Sequence, residues 1–225
     1  MTASDFLQAA LKIDWTSWVS LECGACYLGE ETEHLPNLEK WYMEGSPEDF
    51  AILNKNKNGI NTLNYLLTDK VGEVNFTWTS HPGNSSISHG KLHKDELISY
   101  GASFKELTLP CITYKHLIEE IIKKPIDLLV LDIEGHERVV LKTWFQLQVN
   151  QLPKVLVIEC GDDWAEKKEM LRQLNYNIFL YQYNNSYLVH NSFQPHYNLE
   201  KVIEINKANR AFHWMGRTIY TNHLC

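Results

Sequence analysis

The sequence is poor in basic residues. Lys and Arg number 21 against 28 Asp and Glu, which gives a formal net charge of -7 over 225 residues. Nucleic-acid binders obtain most of their affinity from Lys and Arg at the phosphates. The densest basic stretches here, at residues 55–57 and 167–168, are short and are interpreted as solvated faces. The composition therefore argues against a nucleic acid as a partner.

Long hydrophobic runs and paired cysteines are also lacking. No window approaches the roughly 18 consecutive apolar residues that a bilayer-spanning helix needs, and the first residues do not resemble a signal peptide. We therefore expect a cytoplasmic protein without a membrane partner. The five cysteines are an odd number, typical of reduced thiols. Cys23 and Cys26 have zinc-like spacing, but the other cysteines are isolated, so no zinc site is predicted.

Apolar runs alternate along the chain with amphipathic stretches, which predicts one domain over residues 1–225. Its core spans about residues 18–190, and residues 191–225 form an extension without an assigned role. Strands are predicted at residues 18–21, 38–43, 60–67, 73–79, 126–132 and 154–158. Helices are predicted at residues 46–58, 116–122, 137–145 and 164–174. Residues 176–183 and 187–189 have the pattern of a hairpin.

This order of elements predicts an α/β fold. We expect an open, doubly wound, mostly parallel sheet with helices on both faces and a C-terminal antiparallel hairpin. Residues 81–101 are polar and rich in Gly, Ser and His, so they are predicted to be a loop that covers a site. One of its histidines, His81, His89 or His93, could serve as a base. The alternative is that all three are simply solvated.

Four predicted strands end in a carboxylate: Glu22, Glu44, Asp132 and Glu159. Ligands of open α/β sheets bind at the carboxyl ends of the strands, near the point where the strand order reverses. Gly24 and Ala25 follow Glu22 and let the backbone turn tightly towards a ligand. Glu44, at the end of the next strand, is placed to accept hydrogen bonds from the ribose hydroxyls of a nucleoside.

The alternative for this region is an ordinary strand-to-helix turn and a surface Glu. The chain contains no Gly-x-Gly-x-x-Gly motif. A pyrophosphate cradle, and with it an NAD-type dehydrogenase, is therefore not expected.

The most specific segment follows the apolar run of residues 126–131. It reads Asp132-Ile-Glu134-Gly-His136-Glu137, and Val-Leu-Lys at residues 140–142 comes just after. On this segment the chain resembles the FkbM family of S-adenosylmethionine-dependent methyltransferases, which shows an apolar strand, then Asp-x-Glu-Gly-x-Glu, then a helix. Four further segments resemble family patterns less specifically: residues 43–47, 67–72, 153–159 and 171–176. The resemblance covers about residues 19–189.

The resemblance implies a class I methyltransferase (Rossmann-like) fold with S-adenosylmethionine as cofactor. It implies three groups of cofactor-binding residues: Glu22, Gly24 and Ala25 beside the methionine end, Glu44 and Gly45 on the ribose, and Leu67, Thr68 and Asp69 near the adenine. Family members tend to methylate hydroxyls. The expected partner is therefore a small-molecule or glycan acceptor, such as a sugar or a natural product.

Methyl transfer from a sulfonium to a hydroxyl is an in-line displacement that benefits from a base. Asp132 and Glu134 are expected near the transferred methyl group, with Glu159 at the end of the next strand, and each is a candidate catalytic residue. Alternatively, Glu134 and Glu137 cap the following helix. Asp132, His136 and Glu159 could instead bind a divalent metal such as Mg²⁺ or Ca²⁺. Their spacing is not diagnostic, so no metal site is assigned.

The first loop departs from the family pattern, which usually reads Asp-x-Gly-Ala-x-x-Gly. Glu22 replaces the Asp, and Leu28 stands at the last Gly, with Gly29 one residue later. A loop that has drifted in this way would bind S-adenosylmethionine poorly, so a catalytically degenerate scaffold is one alternative to an enzyme. An RNA ribose methyltransferase is another, and the net charge of -7 argues against it.

Overall fold

The computed structural model describes residues 1–81, 83–88, 91–182, 184–206 and 211–220. The strands are β1 (Leu11–Lys12), β2 (Val19–Cys23), β3 (Glu39–Met43), β4 (Thr62–Leu63), β5 (Leu66–Thr68), β6 (Gly72–Thr79), β7 (Phe104–Thr113), β8 (Leu128–Leu131), β9 (Val155–Glu159), β10 (Tyr176–Gln182), β11 (Asn185–His190), β12 (His196–Tyr197), β13 (Ala211–Trp214) and β14 (Arg217–Tyr220). The helices are α1 (Ala3–Ala10), α2 (Pro47–Asn56), α3 (Lys91–Ser99), α4 (Tyr114–His116), α5 (Glu137–Trp144), α6 (Trp164–Gln173) and α7 (Leu199–Ile205). A π-helical turn at Leu117–Ile121 continues α4, and a 3₁₀ turn spans Val149–Gln151.

The central sheet has nine strands in the order β14-β13-β10-β11-β9-β8-β2-β3-β4. From β2 the chain moves outward through β3 to β4, and it later returns to the other side of β2 with β8 and β9, all five parallel. The strand order therefore reverses between β2 and β8. In a doubly wound sheet this is where the carboxyl ends of the strands leave a crevice for a ligand.

Strand β8 shows why the predicted central strand is an unbroken apolar run. All four of its residues are buried. Leu129 and Leu131 point into the hydrophobic core on one face of the sheet, with Trp144 of α5. Leu128 and Val130 point into the core on the other face, which also contains residues of α1 and α7. Successive side chains of a strand alternate between the two faces, so a strand covered on both sides has no polar position.

The other half of the sheet is antiparallel. Strand β11 lies between β9 and β10 and is antiparallel to both. Beyond β10 the sheet continues with β13 and β14, also antiparallel. These two strands belong to the extension of residues 191–225, for which the sequence predicted no structure. The sheet is therefore mixed, with a parallel half around the reversal point and a larger antiparallel half than a single hairpin.

A small second sheet lies beside the reversal point, in the order β5-β7-β6. The single strand predicted over residues 60–67 is split, because β4 joins the central sheet and β5 joins the small one. Between them the Asn64 side chain donates a hydrogen bond to the Glu44 carbonyl oxygen at 2.8 Å, which stabilises the departure of the chain from the central sheet. Strand β7 was not predicted, because its exposed and buried residues do not alternate regularly.

The predicted loop of residues 81–101 is wrong in its second half, where α3 forms a helix. The glycines, serines and histidines before α3 made the helix-forming residues from Lys91 onward difficult to recognise in the sequence. His81 is exposed and its Nδ1 contacts the Asn84 amide at 3.0 Å. His89 and the side chain of His93 lie outside the described residues. Within the described part of the chain, none of the helices has the length and apolarity needed to cross a bilayer.

Candidate functional site

A cavity of about 320 Å³ lies at the carboxyl ends of β2, β3 and β8. It is in the size range of small-ligand sites. Its walls are the first loop after β2, the residues after β3, part of β5, residues 83–87 and the loop after β8. Eight of the predicted site residues line it: Glu22, Gly24, Ala25, Glu44, Gly45, Leu67, Asp132 and Glu134. Three do not line it: Thr68, Asp69 and Glu159.

Glu22 lies inside β2 and is almost completely buried. Its carboxylate accepts hydrogen bonds from the Thr32 backbone N and Oγ1, both at 3.1 Å, and from the Glu31 backbone N at 3.3 Å. Burial raises the pKa of Glu22 to about 7, although these hydrogen bonds favour the charged form. Glu22 therefore fixes the chain at residues 31–32 as one wall of the cavity.

Gly24 makes the tight turn that brings the first loop against β8. Its φ is +77°, in the left-handed region, and a Cβ there would overlap the carbonyl oxygen of Asp132. The backbone N–H groups of Gly24 and Ala25 both donate to the Met43 carbonyl oxygen, at 3.0 and 3.1 Å. Only glycine allows this close approach, because it has no side chain and no left-handed penalty.

Glu44 follows β3 and is tied to two elements at once. Its Oε1 accepts from the Ser46 backbone N at 2.7 Å, and its Oε2 accepts from the Cys26 backbone N at 2.9 Å. Ser46 is the N-cap of α2 and accepts from the Asp49 backbone N through its side chain. Burial raises the pKa of Glu44 to about 7. The carboxylate thus joins the first loop to the start of α2 at the edge of the cavity.

The turn after β5 contributes one residue to the cavity wall and one side chain that is hydrogen-bonded to the loop after β8. Leu67 lines the cavity. The Thr68 hydroxyl lies 2.9 Å from His136 Nε2 and 3.2 Å from Asp69 Oδ1. The side chains of Thr68 and Asp69 are therefore part of a hydrogen-bonded connection behind the wall.

Asp132 and Glu134 carry the two carboxyl groups of the loop after β8. Burial raises the pKa of Asp132 to about 8, with repulsion from Glu159 as the next cause. Burial also raises the pKa of Glu134 to about 8, with repulsion from Asp132 next. Among the residues that the structure describes, neither carboxyl group has a hydrogen-bond or ion-pair partner. Both are therefore free to meet a ligand in the cavity.

Glu159 is the last residue of β9 and stands behind this pair. Burial and repulsion from Glu137 raise its pKa. Its charge raises the pKa of both Asp132 and Glu134. The structure therefore places Glu159 near the two cavity carboxyls without giving it a position on the cavity wall.

Glu137 has a different role from the helix capping considered above. Its Oε1 accepts from the backbone N–H groups of Ile133 at 3.0 Å and Gly135 at 3.2 Å. Its Oε2 lies 3.0 Å from Lys167 Nζ, and both side chains are fully buried. Lys167 also lies 3.0 Å from Asp163. This buried ion pair stabilises the loop that carries Asp132 and Glu134. The prediction that residues 167–168 form a solvated face is therefore wrong for Lys167, which is fully buried against Glu137.

Residues 83–88 contribute to one wall of the cavity and contact the loop after β8. The Ser86 hydroxyl donates to the Glu134 carbonyl oxygen at 2.6 Å, and the Ser88 hydroxyl lies 2.6 Å from His136 Nδ1. Phe76 of β6 adds an apolar wall. The polar character of this segment was the signal for a covering role, but nothing in the sequence identified its individual contacts.

A metal at Asp132, His136 and Glu159 does not fit this arrangement. Both ring nitrogens of His136 are engaged, by Thr68 and Ser88. Within residues 1–81, 83–88, 91–182, 184–206 and 211–220, no group of three or more His, Cys, Asp or Glu side chains is arranged to hold a metal ion. The described cysteines are free thiols, including Cys23 and Cys26.

Three solved structures resemble this chain at low sequence identity. A precorrin-6Y C5,15-methyltransferase from Geobacter metallireducens has 12% identity and a TM-score of 0.41, over 83% of this chain and 86% of that chain. A precorrin-8W decarboxylase from Methanobacterium thermoautotrophicum has 13% identity and a TM-score of 0.39, over 77% and 81%. An rRNA methylase from Streptococcus thermophilus has 15% identity and a TM-score of 0.41, over 83% and 91%. No curated protein matches the sequence.

The sequence also matches the model of a protein family. The model of the methyltransferase FkbM domain matches residues 22–189, which begin at Glu22 in β2 and end in β11. The match includes the eight predicted residues that line the cavity and the loop after β8. The chain has the class I methyltransferase fold and belongs to the FkbM family of methyltransferases.

Proposed function

We propose that this methyltransferase transfers the methyl group of S-adenosylmethionine to a hydroxyl of a small polar acceptor, such as a sugar or a natural product. One observation carries the proposal. Asp132 and Glu134, whose carboxyl groups have no hydrogen-bond or ion-pair partner among the described residues, line the cavity together with the first loop and Glu44. Their pKa values are raised to about 8 each, so each ionised form binds a proton more strongly than an ordinary carboxylate does.

The residues around the cavity fit the cofactor. Glu44 offers a carboxylate for the ribose hydroxyls, beside Gly45, whose lack of a side chain leaves room for Leu66. Glu22, Gly24 and Ala25 line the part assigned to the methionine end, and Leu67 lines the part assigned to the adenine. The negatively charged carboxylates favour a positively charged ligand. S-adenosylmethionine fits this requirement, because it carries its methyl group on a positively charged sulfur.

The protein's own part in the reaction is to position the acceptor and to take its proton. The acceptor oxygen must approach the methyl carbon in line with the bond to sulfur. As the new C–O bond forms, the C–S bond breaks and its electron pair remains on sulfur, while the hydroxyl proton passes to Asp132 or Glu134. A carboxylate with a pKa near 8 is a stronger base than an ordinary one, whose pKa is near 4.

The test is transfer of a radiolabelled methyl group from S-adenosylmethionine to matched sets of neutral sugars, amino sugars and other polyols. The expected result is label in an ether product with one of the neutral hydroxyl acceptors. Label found only on nitrogen would overturn the hydroxyl assignment. The absence of transfer to any acceptor, with intact cofactor binding, would also contradict the proposed acceptor class.

A further inference from the structure

His136 makes an unusual set of contacts for a residue at the start of a helix. It is buried at the N-cap of α5, and burial lowers its pKa, so the ring is neutral. Its Nδ1 lies 2.6 Å from the Ser88 hydroxyl, and its Nε2 lies 2.9 Å from the Thr68 hydroxyl. The ring therefore bridges residues 83–88, which we term the covering segment, and the turn at residues 67–69.

The donor and the acceptor of each hydrogen bond around His136 can be assigned. The Thr68 hydroxyl donates to Asp69 Oδ1, so it accepts from His136 Nε2–H. The neutral ring then has a lone pair at Nδ1, which accepts from the Ser88 hydroxyl. The result is a chain from Ser88 through His136 and Thr68 to a carboxylate. Since both ring nitrogens are used, His136 has none left to act on a substrate.

The two ends of this hydrogen-bonded chain belong to two segments that each contribute other residues to the cavity wall. At one end, the covering segment supplies Gly83, Ser85, Ser86 and Ile87 to the wall, and Ser86 also holds the Glu134 carbonyl oxygen. At the other end, Leu67 lies next to Thr68 and lines the cavity. Ser88 and Thr68 do not line the cavity themselves, whereas His136, which contacts both hydroxyls, does.

We infer that His136 is a positioning residue that couples the turn at residues 67–69 to the covering segment. Cofactor binding at the turn then orders the covering segment at the cavity wall, and an ordered segment strengthens cofactor binding, since coupling between two sites is reciprocal. The first half of this coupling rests on the proposed function, because it takes the turn as part of the S-adenosylmethionine site. The contact by which His136 holds the covering segment does not depend on the proposed function.

The test combines hydrogen exchange of the amides at residues 84–88 with calorimetric titration of S-adenosylmethionine. Without ligand, His136→Ala should exchange these amides about ten-fold faster than the natural protein. S-adenosylmethionine should slow their exchange in the natural protein and not in His136→Ala. Ser88→Ala should raise the Kd for S-adenosylmethionine about five-fold, which is the effect of one neutral hydrogen bond. His136→Asn, which keeps a polar atom near Nδ1, should restore part of the protection.

Ser99→Ala is the matched control, because Ser99 is exposed on α3 and its hydroxyl donates to the Glu96 carbonyl oxygen of the same helix. If His136→Ala does not fold, Ser88→Ala removes only the bond to His136 Nδ1, and Thr68→Val removes the bonds to His136 Nε2 and Asp69, so each variant breaks the connection at one end of His136. Equal exchange in the ligand-free proteins would overturn the hold on the segment, and an unchanged Kd in Ser88→Ala would overturn the coupling. Failure of the natural protein to bind S-adenosylmethionine would overturn the proposed function and the coupling. The exchange rates of the ligand-free proteins would still show whether His136 holds the covering segment in place.

Discussion

At the residue scale, Gly24 sets how closely the first loop can approach β8. We expect Gly24→Ala to abolish cofactor binding and to destabilise the fold, because its Cβ would overlap the Asp132 carbonyl oxygen. Gly216→Ala is the control: its φ of +74° matches the +77° of Gly24, but nothing lies within 4 Å of the added Cβ. The control should lose only about 1–2 kcal/mol of unfolding free energy. Equal losses in urea denaturation would contradict the steric argument.

A second prediction at the residue scale concerns Asp132 as the catalytic base. Asp132→Asn removes the proton acceptor but keeps the size of the side chain, so turnover should fall by about 10²- to 10⁴-fold. The Kd for S-adenosylmethionine should stay within about two-fold. Steady-state kinetics with an acceptor from the radiolabel screen and calorimetric titration check the two parts. Unchanged turnover would remove Asp132 from the mechanism, and Glu134→Gln would then be examined as the base.

The raised pKa values of the cavity carboxyls also predict how stability depends on pH. Asp132 and Glu134 have pKa values of about 8 in the folded protein, against 3.8 and 4.5 for the free side chains. Between these values the folded state binds more protons than the unfolded state, so their contribution to stability falls as the pH rises towards 8. The ligand-free protein should therefore melt at a lower temperature at pH 8.5 than at pH 6.

The double variant Asp132→Asn/Glu134→Gln should remove this part of the pH dependence. It should melt at a higher temperature than the natural protein at pH 8.5, because two ionised carboxyls no longer repel each other in a buried site. Glu48→Gln, on the exposed start of α2, is the control and should leave the profile unchanged. Parallel melting profiles for the double variant and the natural protein would show that these carboxyls are not perturbed.

The sequence predicted the cavity residues that directly follow or end buried strands, and it missed contacts between distant segments. Glu44 and Asp132 could be identified because strand ends of a parallel sheet meet at one edge. The bond between Ser86 and the Glu134 carbonyl oxygen joins residues 48 apart in the chain. Such a contact depends on the path of the chain between them, which local residue patterns do not specify.

At the element scale, α5 and α6 are joined by the buried ion pair of Glu137 and Lys167. Lys167→Ala leaves a buried carboxylate unpaired and should cost about 3–5 kcal/mol of unfolding free energy. Lys168→Ala, at the exposed neighbouring position, should cost less than about 0.5 kcal/mol. Urea denaturation measures both. A small loss in Lys167→Ala would contradict the stabilising role of this ion pair.

The predictability of each element follows from how its residues are buried. Strands β8 and β9 are covered on both faces, so their apolar runs identify them. Helix α6 was predicted from its amphipathic pattern, and only its internal Lys167 was unexpected. Strand β7 has no regular alternation of buried and exposed residues, and helix α3 follows a stretch rich in Gly, Ser and His, so neither has a clear sequence pattern.

At the scale of the whole molecule, the extension is integrated into the sheet and the second core. Strand β13 pairs with β10, and Phe212 and Trp214 are buried in the same hydrophobic cluster as Phe6 of α1 and Val202 of α7. The family pattern ends at residue 189, before these elements. The doubly wound half could thus be predicted from the sequence, whereas β13, β14 and α7 have no recognisable pattern and became evident only from their packing.

The most direct test of the account is calorimetric titration of the purified protein with S-adenosylmethionine and its demethylated product, with NAD as the negative control. We predict micromolar binding of the first two and none of NAD. Glu44→Ala should weaken binding by about ten-fold or more, since it removes hydrogen bonds to a charged group, while Glu48→Ala should not. Failure of the natural protein to bind either S-adenosylmethionine or its product would contradict the account and favour a degenerate scaffold.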